Sequence, residues 1–101
     1  MMNLTEKELQ LLALVATEEL AGREVAQRFK KETGKEISYG TLYTTFRRLR
    51  DEKLVTVRDA EDEDGRIRFF KATASGLRAL NRTREHYSLL ARFGLSWGGA
   101  V

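Results

Sequence analysis

The 101 residues include 42% hydrophobic and 33% charged side chains, a composition typical of one small globular domain with a heavily charged surface. The absence of cysteine excludes disulfides, thiolate zinc sites and a cysteine nucleophile, and it fits a reducing cytosol. The net charge is only +3, but residues 23–58 carry ten Lys or Arg against five acids, which favours an anionic partner, whereas residues 59–65 carry five acids and no base.

The first third of the chain predicts two helices. Residues 4–17 form the first, with Thr5 suited to cap it. Its leucines lie on several sides, so we expect burial on several sides, with Leu11 in a contact beyond the chain's own core. Residues 21–33 form the second helix, and Gly34 is suited to end it in the left-handed conformation.

A third helix is predicted over residues 39–52, with Ser38 as its cap. Leu42, Phe46 and Leu49 recur at spacings of four and three residues and therefore share the inner face. The opposite arc combines small hydroxyl residues and arginines, whereas an ordinary solvated face more often mixes Glu with Lys. This arc holds Gly40, Thr44, Arg47, Arg48 and Asp51, flanked by Thr41 and Tyr43.

A β-hairpin follows, with strands predicted over residues 54–58 and 66–71 and the acidic stretch 59–65 as a flexible loop between them. Arg66 and Arg68 fall on one side of the second strand because side chains alternate along a strand. The solvated acidic tip is expected not to enter a DNA duplex, since its carboxylates would repel phosphate.

The last element is a long helix that Thr73 is suited to cap and that runs to about Phe93. Its apolar stripe contains Leu77, Leu80, Tyr87, Leu90 and Ala91. The predicted order is therefore three helices, a hairpin and a final helix. We expect a mainly α fold with a small β-hairpin (α+β), namely a winged helix-turn-helix.

The second helix of a helix-turn-helix pair enters the DNA major groove, where short hydroxyl side chains and arginines contact bases and phosphates. From periodicity alone, Arg47 and Arg48 fit a solvated basic face equally well, and Tyr39 and Tyr43 fit half-buried packing. The adjoining wing favours the DNA interpretation. The expected DNA-binding residues are Ser38, Tyr39, Gly40, Thr41, Tyr43, Thr44, Arg47 and Arg48 of the third helix, with Arg66 and Arg68 of the wing.

Three stretches of sequence resemble PadR-type transcriptional regulators. They are Gly40-Thr41-Leu42-Tyr43, Arg47-Arg48-Leu49 and Glu52-Lys53-Leu54-Val55, followed by a wing-like segment over residues 65–73 and Gly76. The resemblance covers roughly residues 4 to 80 and implies a winged-helix fold, DNA binding at promoters, usually repression, and a homodimer held by the C-terminal helix. Arg23 replaces a frequent aromatic residue, Phe69 and Phe70 replace paired tyrosines, and the short C-terminal part implies no elaborate effector domain.

We therefore expect a DNA-binding domain over residues 1–73 and a dimerisation helix with a tail over residues 74–101, within one compact unit. The expected dimer interface comprises Leu11, Leu77, Leu80, Tyr87, Leu90, Ala91 and Trp97. Two recognition helices in a dimer lie about 34 Å apart, one DNA turn, so the operator is expected to be an inverted repeat.

Other kinds of chemistry have weaker support. The acidic stretch fails the spacing of a calcium loop, and the single histidine, His86, forms no zinc site. No catalytic motif appears, so we expect neither an enzyme nor a cofactor or metal. No signal peptide or membrane span is evident, which predicts a cytoplasmic protein. A small-molecule effector stays open without a candidate, and the alternative function is a winged-helix adaptor that binds protein instead of DNA.

Overall fold

The computed structural model describes residues 4–93, which form four helices and a three-stranded antiparallel sheet. The elements in chain order are α1 (Glu6–Leu14), β1 (Leu20–Ala21), α2 (Gly22–Thr33), α3 (Tyr39–Asp51), β2 (Val55–Asp62), β3 (Gly65–Ala72) and α4 (Ala74–Arg92). The sheet order is β1-β3-β2, with β2 and β3 as the wing. The predicted α+β winged helix-turn-helix fold is confirmed.

Three predicted helix caps are confirmed by side-chain hydrogen bonds. Thr5 accepts from the backbone N–H of Glu8, Ser38 from that of Thr41, and Thr73 from that of Gly76. Each bond satisfies one amide that the first helical turn leaves without a partner. The left-handed end of α2 is confirmed as well, because Gly34 has φ +74°.

The apolar sides of α1 are buried within the chain itself. Leu11 is 0% exposed in a core that also contains Leu42, Phe46 and Phe70. Leu80 of α4, at 5% exposed, belongs to the same core. The expectation that Leu11 and Leu80 contact a partner is therefore corrected: α1 packs against α2, α3 and α4, and these neighbours cover its several apolar sides.

The short strand β1 was not expected from the sequence. Leu20 and Ala21 are buried and pair with Phe70 and Phe69 of β3. β1 therefore joins the segment before α2 to the wing. A bidentate ion pair reinforces this junction, since Nη2 of Arg58 lies 2.7 Å from Oε1 of Glu19.

The wing is longer than the sequence predicted, and the acidic stretch is not a loop. β2 continues through Asp62, and only Glu63 and Asp64 connect it to β3. Opposite charges face each other in the register, which pairs Asp59 with Arg68 and Glu61 with Arg66. Because such cross-strand pairs stabilise a ladder, the acidic residues extend the strand instead of ending it. Gly65 takes the turn's left-handed position, with φ +116°.

α4 divides into a packed half and a projecting half. In the first half, Gly76 lies against the backbone carbonyl of Leu54, and Ala79 is buried. Beyond Leu80, none of the described α4 residues is fully buried, although the half-buried Tyr87 still packs against the core. Leu89 is 49% exposed and Phe93, the residue after the helix, is 74% exposed.

Candidate nucleic-acid interface

One side of α3 anchors the helix in the core, and the other is open to solvent. Leu42, Phe46 and Leu49 are 0% exposed, in agreement with the predicted inner face. The exposed residues of this helix and its cap include Ser38, Tyr39, Gly40, Thr41, Thr44, Arg47 and Arg48. Neither the chain's own core nor the wing covers them. A helix with one side exposed in this way has the shape needed to enter a major groove.

The neighbouring arginines Arg47 and Arg48 have different surroundings. The Nε of Arg48 lies 3.1 Å from Oε2 of Glu8, a carboxylate on α1 whose side chain is only 4% exposed. The other oxygen, Oε1, accepts a hydrogen bond from the backbone N–H of Thr5. Arg48 therefore joins α3 to α1. Within residues 4–93, Arg47 has neither an ion pair nor a hydrogen bond through its side chain, so its guanidinium is available to a ligand.

The two tyrosines of α3 also differ. Tyr43 is half-buried between the rings of Tyr39 and Phe70, at centroid distances of 6.1 and 5.8 Å. Gly22 makes room for it, because a Cβ there would lie 2.7 Å from the Tyr43 hydroxyl oxygen. Tyr43 thus fixes α3 against the wing. Tyr39 stacks on it but keeps 52% of its surface exposed.

The arginines of the wing lie on the side that faces α3. Phe70 of β3 stacks on Phe46 at 4.2 Å, and residues 66 and 68 share the side of Phe70 by alternation. The Arg68 guanidinium lies 5.6 Å from the Tyr43 ring centroid, in cation–π range. Arg66 and Arg68 are 62% and 44% exposed, respectively, at their side chains. The structure therefore brings these two residues close to the exposed side of α3.

Asp59 of β2 binds both wing arginines. Its Oδ2 accepts a hydrogen bond from Nη2 of Arg66 at 2.5 Å, and its Oδ1 lies 3.6 Å from Nε of Arg68. The hydrogen bond from Arg66, with the attraction of both guanidinium charges, lowers the pKa of Asp59 below its usual value. Asp59 is therefore a carboxylate at neutral pH, and the two arginines already have an anionic partner within the chain.

A cleft of about 300 Å³ separates α3 from the wing. Its lining includes Arg47 and Arg50 from α3, together with Arg66, Arg68 and Asp59 from the wing. On the other side of Tyr43, a groove of about 400 Å³ reaches Arg23 at the start of α2. Both depressions combine arginines with aromatic rings, which suits phosphate and base contacts, but Asp62 and Asp64 also line the groove and would repel a phosphate there.

Sequence reasoning did not include Arg23 and Arg50 among the site residues. Arg50 lies beside Arg47 along the helix, off the arc opposite Leu42, and only the position of the wing shows that both arginines line one cleft. The position of Arg23 just inside the start of α2 gave a usable signal. Helix N-termini carry unpaired amides and a positive dipole end, so a cation there is suited to anion contact.

The apolar residues of the projecting half of α4 lie on more than one side. At about 100° per residue, Leu89, Phe93 and Leu90 form one strip, bordered by Tyr87, which packs against the core. Ala91 is exposed about 40° from Tyr87 around the helix, and Leu77, in the packed half, is also exposed. Trp97, which was expected in the dimer interface, lies outside the described residues.

Within the described part of the chain, no group of His, Asp or Glu is arranged to hold a metal ion. None of the helices described is long and apolar enough to cross a bilayer.

Comparison with known proteins identifies the family. The sequence matches the transcriptional regulator PadR-like family over residues 11–82, which is more than half of the chain. The chain belongs to the PadR-like family. This match confirms the resemblance carried by the residues of α3 and the wing, and it places the chain among transcriptional regulators instead of enzymes.

Solved PadR structures share the fold. A PadR-like transcription factor from Bacteroides fragilis is 23% identical, with a TM-score of 0.78 over 86% of this chain and 84% of that one. A PadR family regulator from Clostridium difficile is 16% identical, with a TM-score of 0.73 over 85% and 91% of the respective chains. No curated protein matches the sequence.

Bacillus subtilis PadR has been solved in complex with operator DNA. It is 23% identical to this chain, with a TM-score of 0.70 over 77% of this chain and 47% of that one. The chain thus matches about half the length of that protein, and the likeness concerns the fold.

Proposed function

We propose that this protein is a sequence-specific DNA-binding transcriptional regulator, with α3 as the recognition helix and the β2–β3 wing contacting the DNA backbone. The observation that carries the proposal is the exposed outer side of α3 beside the arginine-lined cleft. The unpaired guanidinium of Arg47 lies there with Thr44, while Arg48 is held by Glu8. Bacillus subtilis PadR, a protein with the same fold, has been solved with operator DNA, which supports DNA binding by this chain.

The roles of the site residues follow from their surroundings. Arg47 has a guanidinium able to bind guanine or phosphate, and the hydroxyls of Ser38, Thr41 and Thr44 are suited to phosphate or base edges. Tyr43 positions α3, and Arg48 chiefly orients it. Arg66 and Arg68 are the wing residues that reach the backbone.

We further propose a homodimer that acts as a repressor on an inverted repeat. The projecting half of α4 supports a dimer, because Leu89 and Phe93 would otherwise expose large apolar side chains to water. A second copy meeting this helix would bury the strip of Leu89, Leu90 and Phe93 and present two α3 helices to one face of the duplex. Repression is the usual role implied by the resemblance to the family.

The test is a fluorescence-anisotropy titration of the full chain with a duplex from its own upstream region, at two salt concentrations. Arg47→Ala is expected to weaken binding at least about fivefold. If Arg47 contacts a phosphate, the slope of log K against log salt should also fall by about 0.9. Arg78→Ala is the matched control, because it removes the same charge from α4 and its only described bond is to Ser75.

Two results would oppose the proposal. One is a wild-type protein that binds no duplex, operator or random, at low salt. The other is Arg47→Ala binding that matches both wild type and Arg78→Ala in affinity and in salt slope. A protein that binds no DNA but captures a protein partner through the wing would support the adaptor function instead.

A further inference from the structure

A negatively charged side chain of the protein itself lies in the cleft between α3 and the wing. Four arginines line it, namely Arg47, Arg50, Arg66 and Arg68, and the carboxylate of Asp59 lies among them. Each oxygen of that carboxylate faces a different wing arginine. A phosphodiester also offers two oxygens that share one negative charge, and arginine binds both groups through the same N–H donors.

The ion pairs that hold Asp59 are exchangeable. Its side chain is 46% exposed, and those of Arg66 and Arg68 are 62% and 44% exposed. Solvated pairs of this kind contribute little net free energy, so a phosphate that enters the cleft is able to displace the carboxylate. Displacement leaves Asp59 close to the incoming phosphate, which weakens the resulting complex.

We infer that the cleft is the binding site for one phosphate of the DNA backbone, and that Asp59 occupies it in the free protein as an internal competitor. This inference rests on the proposed function. Asp59, which has no attraction for DNA, thereby sets how strongly the wing arginines bind the DNA backbone.

The experiment compares Asp59→Asn with wild type on two duplexes, one from the upstream region and one of scrambled sequence. Asn keeps the shape of the side chain but removes the charge that holds the arginines. Asp59→Asn is expected to bind both duplexes about three- to tenfold more tightly, since two exposed ion pairs no longer compete. The salt slope should steepen by up to about 0.9, one additional phosphate neutralised.

Three variants separate competition for the arginines from general charge repulsion. Glu63→Gln removes one negative charge from the same wing, but Glu63 makes no ion pair in the described structure, so its affinity should change less than about twofold. Asp59→Glu keeps the charge and should remain close to wild type. Combining Asp59→Asn with Arg66→Ala and Arg68→Ala should abolish most of its gain, because the arginines that it releases are gone.

The inference and the proposed function fail in different ways. Wild type that binds no duplex would end both. Only the inference would be overturned if wild type bound DNA and Arg47→Ala weakened that binding, but Asp59→Asn left the affinity and the salt slope unchanged. The same holds if Asp59→Asn increased the affinity no more than Glu63→Gln did. Inorganic phosphate added to Asp59→Asn at constant ionic strength should give no saturable thermal stabilisation; a saturable effect would assign the cleft to a free anion instead of the DNA backbone.

Discussion

The Nε of Arg48 and the buried Oε2 of Glu8 lie 3.1 Å apart, so α3 is tied to α1 by one of two adjacent arginines. The Arg48 side chain is largely exposed to solvent, whereas the Glu8 carboxylate is buried. Substitutions at Arg48 and Arg47 are therefore expected to separate stability from the proposed DNA binding.

Arg48→Ala is expected to destabilise the fold. Glu8 would keep only its bond from the Thr5 amide, and a buried carboxylate that loses one of its two partners costs about 1–3 kcal/mol. Arg47→Ala should alter the free energy of unfolding by less than about 0.5 kcal/mol. Urea unfolding of the two variants checks this. Equal stability for both would mean that the Glu8 contact contributes nothing.

Gly76→Ala is expected to be among the most damaging small substitutions. A Cβ at this position would lie 2.1 Å from the backbone carbonyl oxygen of Leu54, and a backbone atom has little freedom to move away. Overpacking of this kind should cost about 3 kcal/mol and lower the melting temperature by at least about 10 °C.

Gly40→Ala is the matched control for this prediction. Its new Cβ would meet only the Ser38 hydroxyl oxygen, at 3.9 Å. Alanine is the better helix former, so stability should stay equal or rise by up to about 1 kcal/mol. A thermal melt in which both variants behaved alike would show that α4 does not pack against Leu54 as described.

Acid should weaken the junction between the wing and β1. The hydrogen bond from Arg58 lowers the pKa of Glu19 below its ordinary value of 4.5. A carboxyl whose folded pKa is depressed adds stability above its ordinary pKa, and that contribution disappears as the pH falls from 4.5 through the folded value. Wild type should therefore exceed Arg58→Gln in melting temperature at pH 7, and the difference should shrink toward pH 3. A constant difference across this range would exclude the ion pair as its cause.

The dimer is expected to depend on the strip around Leu89. Leu89→Gln makes an exposed apolar position polar and should shift the sedimentation mass from two chains toward one at low micromolar concentration. Leu77→Gln is the control, because Leu77 is also exposed but lies roughly 120° away around α4. If Leu77→Gln dissociated the dimer and Leu89→Gln did not, the dimer interface would lie on the Leu77 side of α4.

Much of the fold was predictable because local signals agreed with one another. The spacing of Leu42, Phe46 and Leu49 gave the inner side of α3, and Thr5, Ser38 and Thr73 gave the helix starts. The strand β1 is not predictable, because two residues show no periodicity. The acidic part of β2 has the composition of a loop, and its stabilising partners, such as Arg68 opposite Asp59, become apparent only with the register.

The candidate site was predictable as a surface but not in its pairings. Periodicity placed Arg47 and Arg48 together on the outer arc of α3. It gave no sign that Glu8, forty positions earlier in the chain, binds one of them. Nor did it show that Asp59 holds both wing arginines, or that Leu11 is enclosed by the chain's own helices. These relations depend on contacts between distant residues, which local patterns do not encode.

The position of α3 on DNA is open to a direct measurement, because the chain has no cysteine and a single one is easily labelled. Thr44→Cys carrying an iron chelate that cleaves DNA should cut an upstream operator duplex at two sites about one helical turn apart, facing the major groove. Arg78→Cys with the same label should give little cleavage. A Thr44→Cys conjugate that binds the duplex as tightly as wild type yet leaves it uncut, while Arg78→Cys cuts it, would contradict α3 as the recognition helix.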